Sequence, residues 1–397
     1  MTKIWQKTWW AWINDIVEAY TVWNDYLLDM QLIPYDIQWS QAHTKMLHKI
    51  WILSEDEKDN LLSGLSYILQ LYNSGDFVID VNQEDWHTAI ESYLIQHCWE
   101  VGKKIHTGRS RNDQILVTTR LFTIDKLSQI QDCVMQLIHT FDQKIREVWD
   151  TQMPWYTHTQ RAMPTTVWTW LWSFRDSLQD DLVLIKAAKK VNNQNPLWSV
   201  AWFWEDVFQL DRDFVTGELY FDKTQSNPMY CAYSRGKFEY IVLQSLSHVM
   251  MDLGKIASDL VLFSSREFDF FDLPDDFKTW SSVMPQKKNW DIMELVRWNS
   301  NLFLWYEYQI REIFKNLFSW YNRDFQLTKE PYLKWIALTQ DTVNICTLAI
   351  ENLSVKKWNL EKACTKELYA TREAYELVKN WMNFRDAYKI VGEKYIN

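Results

Sequence analysis

Apolar residues recur every three or four positions along much of the chain, which is the spacing of an amphipathic α-helix and differs from the alternation of a strand. The longest such stretch covers residues 121–148 without a proline, and a second covers 235–263. Shorter stretches with the same period cover 167–191, 292–318 and 335–353. Each apolar stripe needs a partner surface, so the pattern predicts an all-α protein with a central bundle of five long helices.

Prolines within polar clusters interrupt these helical patterns at five places, at residues 153–154, 195–196, 227–228, 273–274 and 330–331. Side chains from different helices can converge at the ends of a bundle, so functional groups are expected in these breaks. We predict three domains, which are an amino-terminal helical domain, the bundle domain and a short carboxy-terminal helical domain, at residues 1–101, 102–350 and 351–397.

Composition restricts the class of protein. The 397 residues are 47% hydrophobic and 24% charged, and no apolar run is long enough for a membrane span. The net charge of −10 argues against a general nucleic-acid binder. The amino terminus lacks the apolar core and cleavage site of a signal peptide, and the five cysteines are scattered without a CxxC pair. We therefore expect a soluble cytoplasmic protein with reduced thiols.

Three separated polar segments contain candidate chemistry. HTGRSRNDQ (residues 106–114) offers two guanidinium groups for binding carboxylates, or it is a solvated turn before a long helix. YTHTQRAMPTT (156–166) places a histidine among hydroxyls, where it is a proton carrier or has a purely structural role. SSVMPQKKN (281–289) joins two serines, two lysines and an asparagine, and a serine acts as a base only when a nearby cation or donor activates it.

In order and spacing, these three segments resemble the signature regions of the argininosuccinate lyase family, a branch of the fumarase/aspartase superfamily. GRSRNDQ and the QKKN ending are the features that point to this branch. A fourth segment, YNRDFQLTKEP (321–331), is similar to the family's substrate segment, and weaker similarity surrounds residues 25, 87 and 204. The resemblance covers nearly the whole chain.

The resemblance implies a three-domain all-α fold, whose long five-helix bundle pairs into the 20-helix core of a homotetramer with active sites shared between subunits. It also implies the elimination of argininosuccinate to L-arginine and fumarate, a step of arginine biosynthesis, through an aci-carboxylate carbanion and without a cofactor or metal. The expected partners are then this substrate and its products, with no nucleic acid and no membrane.

Matched to the family's motifs, Ser281 is the expected general base, and Lys287 and Asn289 would hold the carboxylate on which negative charge accumulates. Lys287 would also favour deprotonation of the serine. His158 is the expected acid, or the residue that arranges proton transfer. The resemblance assigns substrate binding to further polar residues: Thr21, Ser110, Arg111, Asn112, Thr157, Tyr321, Gln326 and Lys329.

Tryptophan stands at many positions where the family has glycine. The chain has 25 tryptophans and only 8 glycines, although glycine is normally among the commonest residues. A UGA codon that is glycine in the native organism and tryptophan in the conceptual translation would produce this pattern. Our hypothesis is that many of these tryptophans are native glycines, with candidates at Trp23, Trp39, Trp99, Trp155, Trp168, Trp172, Trp198, Trp202, Trp204, Trp280, Trp298 and Trp320.

Two alternatives to this functional interpretation remain open. Another fumarate-releasing enzyme of the superfamily, such as adenylosuccinate lyase, would use the same serine segment, although GRSRNDQ argues against it. A non-catalytic, crystallin-like structural protein would need no active site, and a literal tryptophan at residue 280 could disable the catalytic loop. The carboxy-terminal region is also shorter than is usual in the family.

Overall fold

The computed structural model describes residues 14–197 and 207–395, and most of this described chain is helical. Its α-helices are α1 (Asp15–Val22), α2 (Asp25–Leu28), α3 (Ile33–Lys49), α4 (Glu55–Ser74), α5 (Trp86–Cys98), α6 (Arg111–Glu147), α7 (Val167–Asn192), α8 (Arg212–Glu218), α9 (Pro228–Tyr233), α10 (Lys237–Phe263), α11 (Asp291–Lys315), α12 (Lys329–Glu351), α13 (Lys357–Ala363), α14 (Ala370–Lys379) and α15 (Phe384–Tyr395). The five long helices predicted from the apolar period are α6, α7, α10, α11 and α12, so the all-α prediction is confirmed.

Short 3-10 helices connect several of these elements: Asp29–Leu32, Val81–Gln83, Trp99–His106, Asp275–Phe277, Arg323–Thr328 and Lys366–Tyr369. None of the described helices is both long and apolar enough to cross a membrane.

Two of the long helices begin earlier than the apolar pattern predicts. α6 begins at Arg111, about ten residues before the predicted start, and α12 begins at Lys329. The predicted break at residues 330–331 is therefore wrong. Pro331 lies in the first turn of α12, where a missing N–H removes no helical hydrogen bond. As a result, two of the four family-like segments end in the first turn of a long helix.

The described chain also contains short strands, for which the apolar pattern held almost no signal: β1 (Gln152–Thr157), β2 (Gln160–Thr166), β3 (Phe271–Asp272), β4 (Thr279–Trp280), β5 (Lys288–Asn289) and β6 (Ser354–Val355). They pair as three antiparallel two-stranded ribbons, β1–β2, β3–β6 and β4–β5. Strands of two residues are too short for a period of two to be visible in sequence. Two of these ribbons hold predicted catalytic segments.

The chain forms two compact units, each assembled from three separated stretches. Unit 1 comprises residues 1–129, 185–244 and 306–336, and unit 2 comprises residues 130–184, 245–305 and 337–397. Each of the five long helices begins in one unit and ends in the other. The predicted domain boundaries after residues 101 and 350 stay a prediction.

Within unit 1, the long helices are joined by aromatic packing and by buried polar contacts. The hydroxyl of Thr123 on α6 lies 2.5 Å from that of Tyr332 on α12. The rings of Tyr306 on α11 and Trp335 on α12 lie 4.4 Å apart, and Trp335 is almost fully buried. These contacts fix the first turns of α12, which carry predicted substrate-binding residues.

Within unit 2, an aromatic cluster supports the β1–β2 ribbon. Trp170 of α7 donates its indole N–H to Asp259 of α10 at 3.0 Å, and its ring stacks on Phe271 at 5.0 Å. Phe263, at the end of α10, lies 6.1 Å from the ring of Tyr156 in β1. The ribbon is therefore held against the end of a bundle helix.

The tryptophans predicted to be native glycines differ in their surroundings. Trp39 is fully buried and donates its indole N–H to Asp36 at 2.8 Å, and the rings of Trp168 and Trp172 stack at 5.3 Å on α7. Three of the predicted positions, Trp198, Trp202 and Trp204, lie outside the described residues. For the packed indoles the hypothesis stays a prediction from the family resemblance.

Candidate active site

Ser110 and Asp113 cap the start of α6 in unit 1. The backbone N–H of Ser110 donates to Asp113 Oδ2 at 3.1 Å, and the backbone N–H of Asp113 donates to Ser110 Oγ at 3.4 Å. Gly108, with φ of 74°, lets the chain turn into this cap. Arg111 and Asn112 consequently lie in the first helical turn, where unpaired N–H groups and the helix dipole favour an anionic ligand.

Arg111 is oriented by groups at the start of α5. Its guanidinium lies 3.0 Å from Asp85 Oδ2 and 3.8 Å from Glu84 Oε2, and it donates to Thr88 Oγ1 at 2.8 Å. Burial alone would raise the pKa of Asp85, but the charges of His87 and Arg111 lower it, so this carboxylate stays ionised. Fixed carboxylates therefore determine where the guanidinium points.

Glu84 also contacts a second guanidinium, that of Arg323, at 3.4 Å. Arg323 donates in turn to the backbone carbonyl of Thr21 at 2.7 Å. Gln326 lies 3.4 Å from the same carbonyl and donates to Asp25. The end of α1, the start of α5 and the segment 323–328 therefore meet at one place in unit 1.

A cavity of about 820 Å³ opens at this junction. Thr21, Asp25, Arg323 and Gln326 line it, together with Trp23. The volume lies within the range of small-molecule binding sites, and the lining combines apolar surface with a few fixed polar groups. Two predicted substrate-binding residues therefore border a cavity of suitable size.

Lys329, in the first turn of α12, lies between two carboxylates. Its ammonium contacts Asp29 and lies 3.4 Å from Asp25. Burial raises the pKa of Asp29 to about 8, with the Lys329 charge opposing this shift and the Asp25 charge adding to it. Burial would lower the pKa of Lys329, but the two carboxylates outweigh it and raise that pKa. Lys329 is therefore positively charged at neutral pH, and the raised pKa of Asp29 favours its protonated form.

Two more predicted substrate-binding residues lie in unit 1. Tyr321 is 37% exposed, and its ring lies 6.5 Å from that of Phe325 in the same segment as Gln326. The side chain of Asn112 has no hydrogen-bond partner among the described residues, so its amide is available to a ligand.

The ribbon β4–β5 in unit 2 brings the two ends of the segment 281–289 together. Lys288 donates to both carboxylate oxygens of Asp275 at 2.7 Å, and its ammonium lies 4.7 Å from the centre of the Trp280 ring. Asn289 Nδ2 lies 3.4 Å from Thr279 Oγ1. Of the two neighbouring lysines, Lys288 is therefore the one that is paired within its own chain.

Ser281 stands at the start of the loop that this ribbon closes. Its Oγ accepts the backbone N–H of Met284 at 3.0 Å and that of Val283 at 3.3 Å. Donors aimed at the oxygen stabilise an alkoxide more than a hydroxyl, which favours loss of the serine proton. The side chain of Lys287 is exposed and forms no hydrogen bond or ion pair with the described residues, so its charge is free for a ligand. Backbone groups, rather than the expected ammonium of Lys287, therefore contact the serine.

His158 and Thr157 lie at the tip of the β1–β2 ribbon. Thr157 pairs with Gln160, so His158 and Thr159 are the two turn residues, with φ of 52° and 59°. Positive φ at both positions defines a type I′ turn, which normally takes asparagine and glycine. Such unfavourable backbone conformations cluster at functional sites. The imidazole is exposed and has no hydrogen-bond partner in the described chain, so it can reach a substrate.

The hairpin tip and the serine loop border the same turn after α10. The ring of Phe268 packs on Tyr156 at 5.8 Å, and Arg266 donates to the carbonyl of Gln286 at 3.0 Å. Unit 2 therefore holds all four predicted catalytic residues and Thr157, whereas unit 1 holds the other predicted substrate-binding residues.

Sequence reasoning missed the acidic residues and the arginine that orient these groups: Asp25, Asp29, Glu84, Asp85 and Arg323. They lie within or beside the family-like stretches near residues 25, 87 and 321, which is the signal that could have identified them. Within the described chain, no group of three or more His, Cys, Asp or Glu side chains is arranged to hold a metal ion.

Comparison of the sequence with known proteins identifies the family to which the chain belongs. Residues 16–301 match a lyase family. The chain is 39% identical over 393 residues to the argininosuccinate lyase of Thermotoga neapolitana, covering 99% of this chain and 98% of that protein. It is 37% identical over 390 residues to the argininosuccinate lyase of Phocaeicola vulgatus, covering 98% of this chain and 87% of that protein.

Solved structures share the fold. EDDS lyase in complex with formate aligns with a TM-score of 0.79 at 24% identity, covering 96% of this chain and 76% of that one. The fumarate lyase:delta crystallin from Brucella melitensis in native form aligns with a TM-score of 0.79 at 17% identity, covering 95% and 91%. Together with the extent of the sequence identity, this establishes that the chain belongs to the argininosuccinate lyase family.

Proposed function

We propose that the protein eliminates fumarate from argininosuccinate and releases L-arginine, as a step of arginine biosynthesis. The observation that carries the proposal is the loop 281–289, in which the Ser281 oxygen accepts two backbone N–H groups while the neighbouring ammonium of Lys287 stays unpaired within the described chain. The two relatives named argininosuccinate lyase support the choice of substrate.

In the proposed reaction, Ser281 removes a proton from the succinyl carbon beside a carboxylate, and the electron pair moves onto that carboxylate as an aci-carboxylate dianion. The carbon–nitrogen bond then breaks, the carbon–carbon double bond of fumarate forms, and a proton passes to the departing guanidinium nitrogen. A proton at such a carbon is weakly acidic, so stabilising the dianion is the main catalytic requirement. Lys287 and Asn289 would supply that stabilisation from the same loop as the base.

The substrate is proposed to bind through the polar groups gathered in unit 1: Thr21, Ser110, Arg111, Asn112, Tyr321, Gln326 and Lys329, with Thr157 from the hairpin. Charge supports this assignment, because argininosuccinate carries carboxylates and the guanidinium of Arg111 and the ammonium of Lys329 are both held in place. The cavity beside Thr21 and Gln326 supports it as well.

His158 is proposed as the acid that protonates the leaving nitrogen. An imidazole can donate a proton, and the position of His158 at an exposed hairpin tip lets it approach a substrate from outside its own strand pair.

The protein is further proposed to be a cytoplasmic homotetramer in which several subunits contribute to each active site. Exposed apolar side chains along α11 support an oligomer, since Leu295, Leu304 and Trp305 are 58%, 47% and 72% exposed in the single chain. A partner surface would remove this apolar area from water.

Turnover measurements test the proposal. The purified chain, as written and with glycine at the family's glycine positions, is mixed with argininosuccinate, and fumarate is followed by its absorbance. We expect fumarate release by the glycine version, with adenylosuccinate turned over at a far lower rate. Equal or faster turnover of adenylosuccinate would favour the other superfamily lyase, and inactivity of both versions would favour a structural protein.

A further inference from the structure

Four tryptophans in the described chain adopt positive φ, namely Trp23 (48°), Trp51 (66°), Trp99 (51°) and Trp381 (71°). A residue with a Cβ atom adopts this region at a penalty of roughly tenfold in population, whereas glycine adopts it freely. An indole offers no local hydrogen bond of the kind that helps asparagine or aspartate in this conformation. Tryptophan is therefore an unfavourable residue at each of these positions.

Trp51 follows the end of α3 in a Schellman motif. Its backbone N–H donates to the carbonyl of His48 at 3.0 Å, and the N–H of Ile52 donates to that of Leu47 at 2.9 Å. These two bonds place Trp51 at the left-handed position that glycine most often occupies. Its side chain is 89% exposed, so no packing of the indole offsets the backbone cost.

Trp381 repeats this arrangement after α14. Its N–H donates to the carbonyl of Val378 at 3.0 Å, and the N–H of Met382 donates to that of Leu377 at 3.2 Å. The indole is 98% exposed. The end of α4 has the same pair of bonds around Gly75, which has φ of 83°. The chain thus uses glycine in one copy of the motif and tryptophan in two others.

Trp23 and Trp99 adopt a backbone conformation that is even less favourable for a residue with a Cβ atom. Their ψ angles are −128° and −132°, so they lie outside the left-handed helical region and close to the first central position of a type II′ turn. Glycine dominates that position. Both indoles are largely exposed, at 55% and 78%.

Tyr220 shows that the motif by itself does not prove a glycine. It has φ of 57° and the same pair of hydrogen bonds at the end of α8, and it is a tyrosine.

The frequency of tryptophan at positive φ is the second argument for glycine. Nine non-glycine residues of the described chain have positive φ, and four of them are tryptophan. Since tryptophan makes up 25 of 397 residues, fewer than one of nine is expected by chance.

We propose that the native protein carries glycine at residues 23, 51, 99 and 381, where one codon is read as glycine in the cell that makes it. The backbone supplies the evidence for residues 51 and 381, which the family's motifs did not single out. For residues 23 and 99 it agrees with the family's glycine positions.

Glycine at residue 23 changes the cavity of unit 1. Trp23 lines this cavity beside Thr21 and Gln326. Replacing an indole by a hydrogen atom enlarges the cavity beside the groups that are proposed to hold the substrate. This consequence rests on the proposed function, whereas the identity of the residue does not.

Peptide mass spectrometry of the protein purified from its own cells tests the proposal directly. We expect the mass of glycine in the peptides that contain residues 51 and 381. A tryptophan mass at these two positions would overturn the proposal. The measurement uses no substrate, so failure of the proposed enzymatic activity would leave its result unchanged.

Denaturation of recombinant variants tests the physical basis. Trp51→Gly is compared with Trp51→Ala, and Trp381→Gly with Trp381→Ala, because both changes remove the indole and only glycine removes the Cβ atom. We expect each glycine variant to have an unfolding equilibrium constant about fivefold lower than its alanine partner. Equal constants, or a higher constant for the glycine variants, would contradict the backbone argument.

Discussion

At the scale of single residues, the proposed role of Ser281 as a base rests on the two backbone N–H groups that donate to its oxygen. A serine hydroxyl is a poor base in water, and it needs donors or a cation that favour the deprotonated form. The loop supplies the donors, and the ammonium of Lys287 stands unpaired within the described chain for use by a ligand. The adjacent Ser282 is exposed and has no such contacts in the described structure.

Ser281→Ala is therefore expected to lower the rate of fumarate release by at least about a hundredfold, since it removes the proposed general base. Ser282→Ala is the matched control, and we expect its rate to stay within about threefold of the starting protein. Unchanged turnover of the Ser281 variant, with its circular dichroism spectrum intact, would exclude the serine as the base.

The buried carboxyl of Asp29 gives a prediction for pH. Because burial raises its pKa to about 8, the folded protein keeps a proton that the unfolded chain releases above about pH 4. The native state then binds more protons than the unfolded state between these values, so this group's contribution to stability falls as pH rises from about 4 to about 8. Lys329, Asp25 and Asp85 are the charged groups that modulate it.

We expect Asp29→Asn to remove up to about 1.4 kcal/mol per pH unit from the slope of unfolding free energy against pH in this interval. Urea denaturation at pH 5, 6 and 7 measures the slope. Asp222→Asn, which changes an exposed carboxylate, is the control and should leave the slope as it is. An unchanged slope in the Asp29 variant would mean that Asp29 is ionised throughout.

At the scale of elements, two short ribbons present the predicted catalytic groups. The β1–β2 hairpin places His158 on a two-residue turn with positive φ, and the β4–β5 ribbon closes the serine loop. Neither ribbon contributes much core, and both depend on the helices and turns against which they pack. Both ribbons therefore place polar groups at an exposed position.

The two lysines of the QKKN segment are expected to differ sharply. Lys288 is paired with Asp275 and stacked over Trp280, while Lys287 has no partner in the described chain. Lys287→Met should lower kcat about a hundredfold or more through loss of charge stabilisation in the transition state. Lys288→Met should lower it less than tenfold, since an exposed ion pair contributes little. Steady-state kinetics of both variants measure this, and equal losses would contradict the assignment.

At the scale of the whole molecule, the proposed tetramer would build each active site from residues of several chains. The long helices expose apolar side chains in the isolated chain, and a symmetric oligomer would bury them through repeated contacts. If each site combines groups from different subunits, two inactive variants can form some intact sites together.

Co-expression of Ser281→Ala and Lys329→Met chains tests this sharing. We expect about a quarter of the sites to combine an intact serine loop from one chain with an intact Lys329 from another, because each group is intact in half of the chains. Ser281→Ala with Lys287→Met is the control pair. Both changes lie in one loop, so no site can be intact and no activity should return. Absence of recovery in the first pair would indicate that one chain supplies both groups.

The long helices and the family-like segments could be predicted from the sequence. The period of apolar residues is a local property, so α6, α7, α10, α11 and α12 followed from it, with the largest errors at the polar first turns of α6 and α12. Those first turns contain Arg111 and Lys329, whose neighbours are charged, and a polar turn has no apolar period to reveal it. The chemistry of segments 106–114, 156–166 and 281–289 was likewise visible as residue types at close spacing.

Only the tertiary structure decided which distant groups meet. Lys329 contacts Asp29 across 300 residues of sequence, and Arg323 reaches the carbonyl of Thr21 across 302. No local pattern contains such pairings, because they result from the packing of whole helices. The shifted pKa of Asp29, the cavity beside Gln326 and the positive φ of Trp51 and Trp381 all depend on that packing or on a folded backbone. Residue types therefore determined the possible chemistry, and the fold determined which groups are charged, paired or available to perform it.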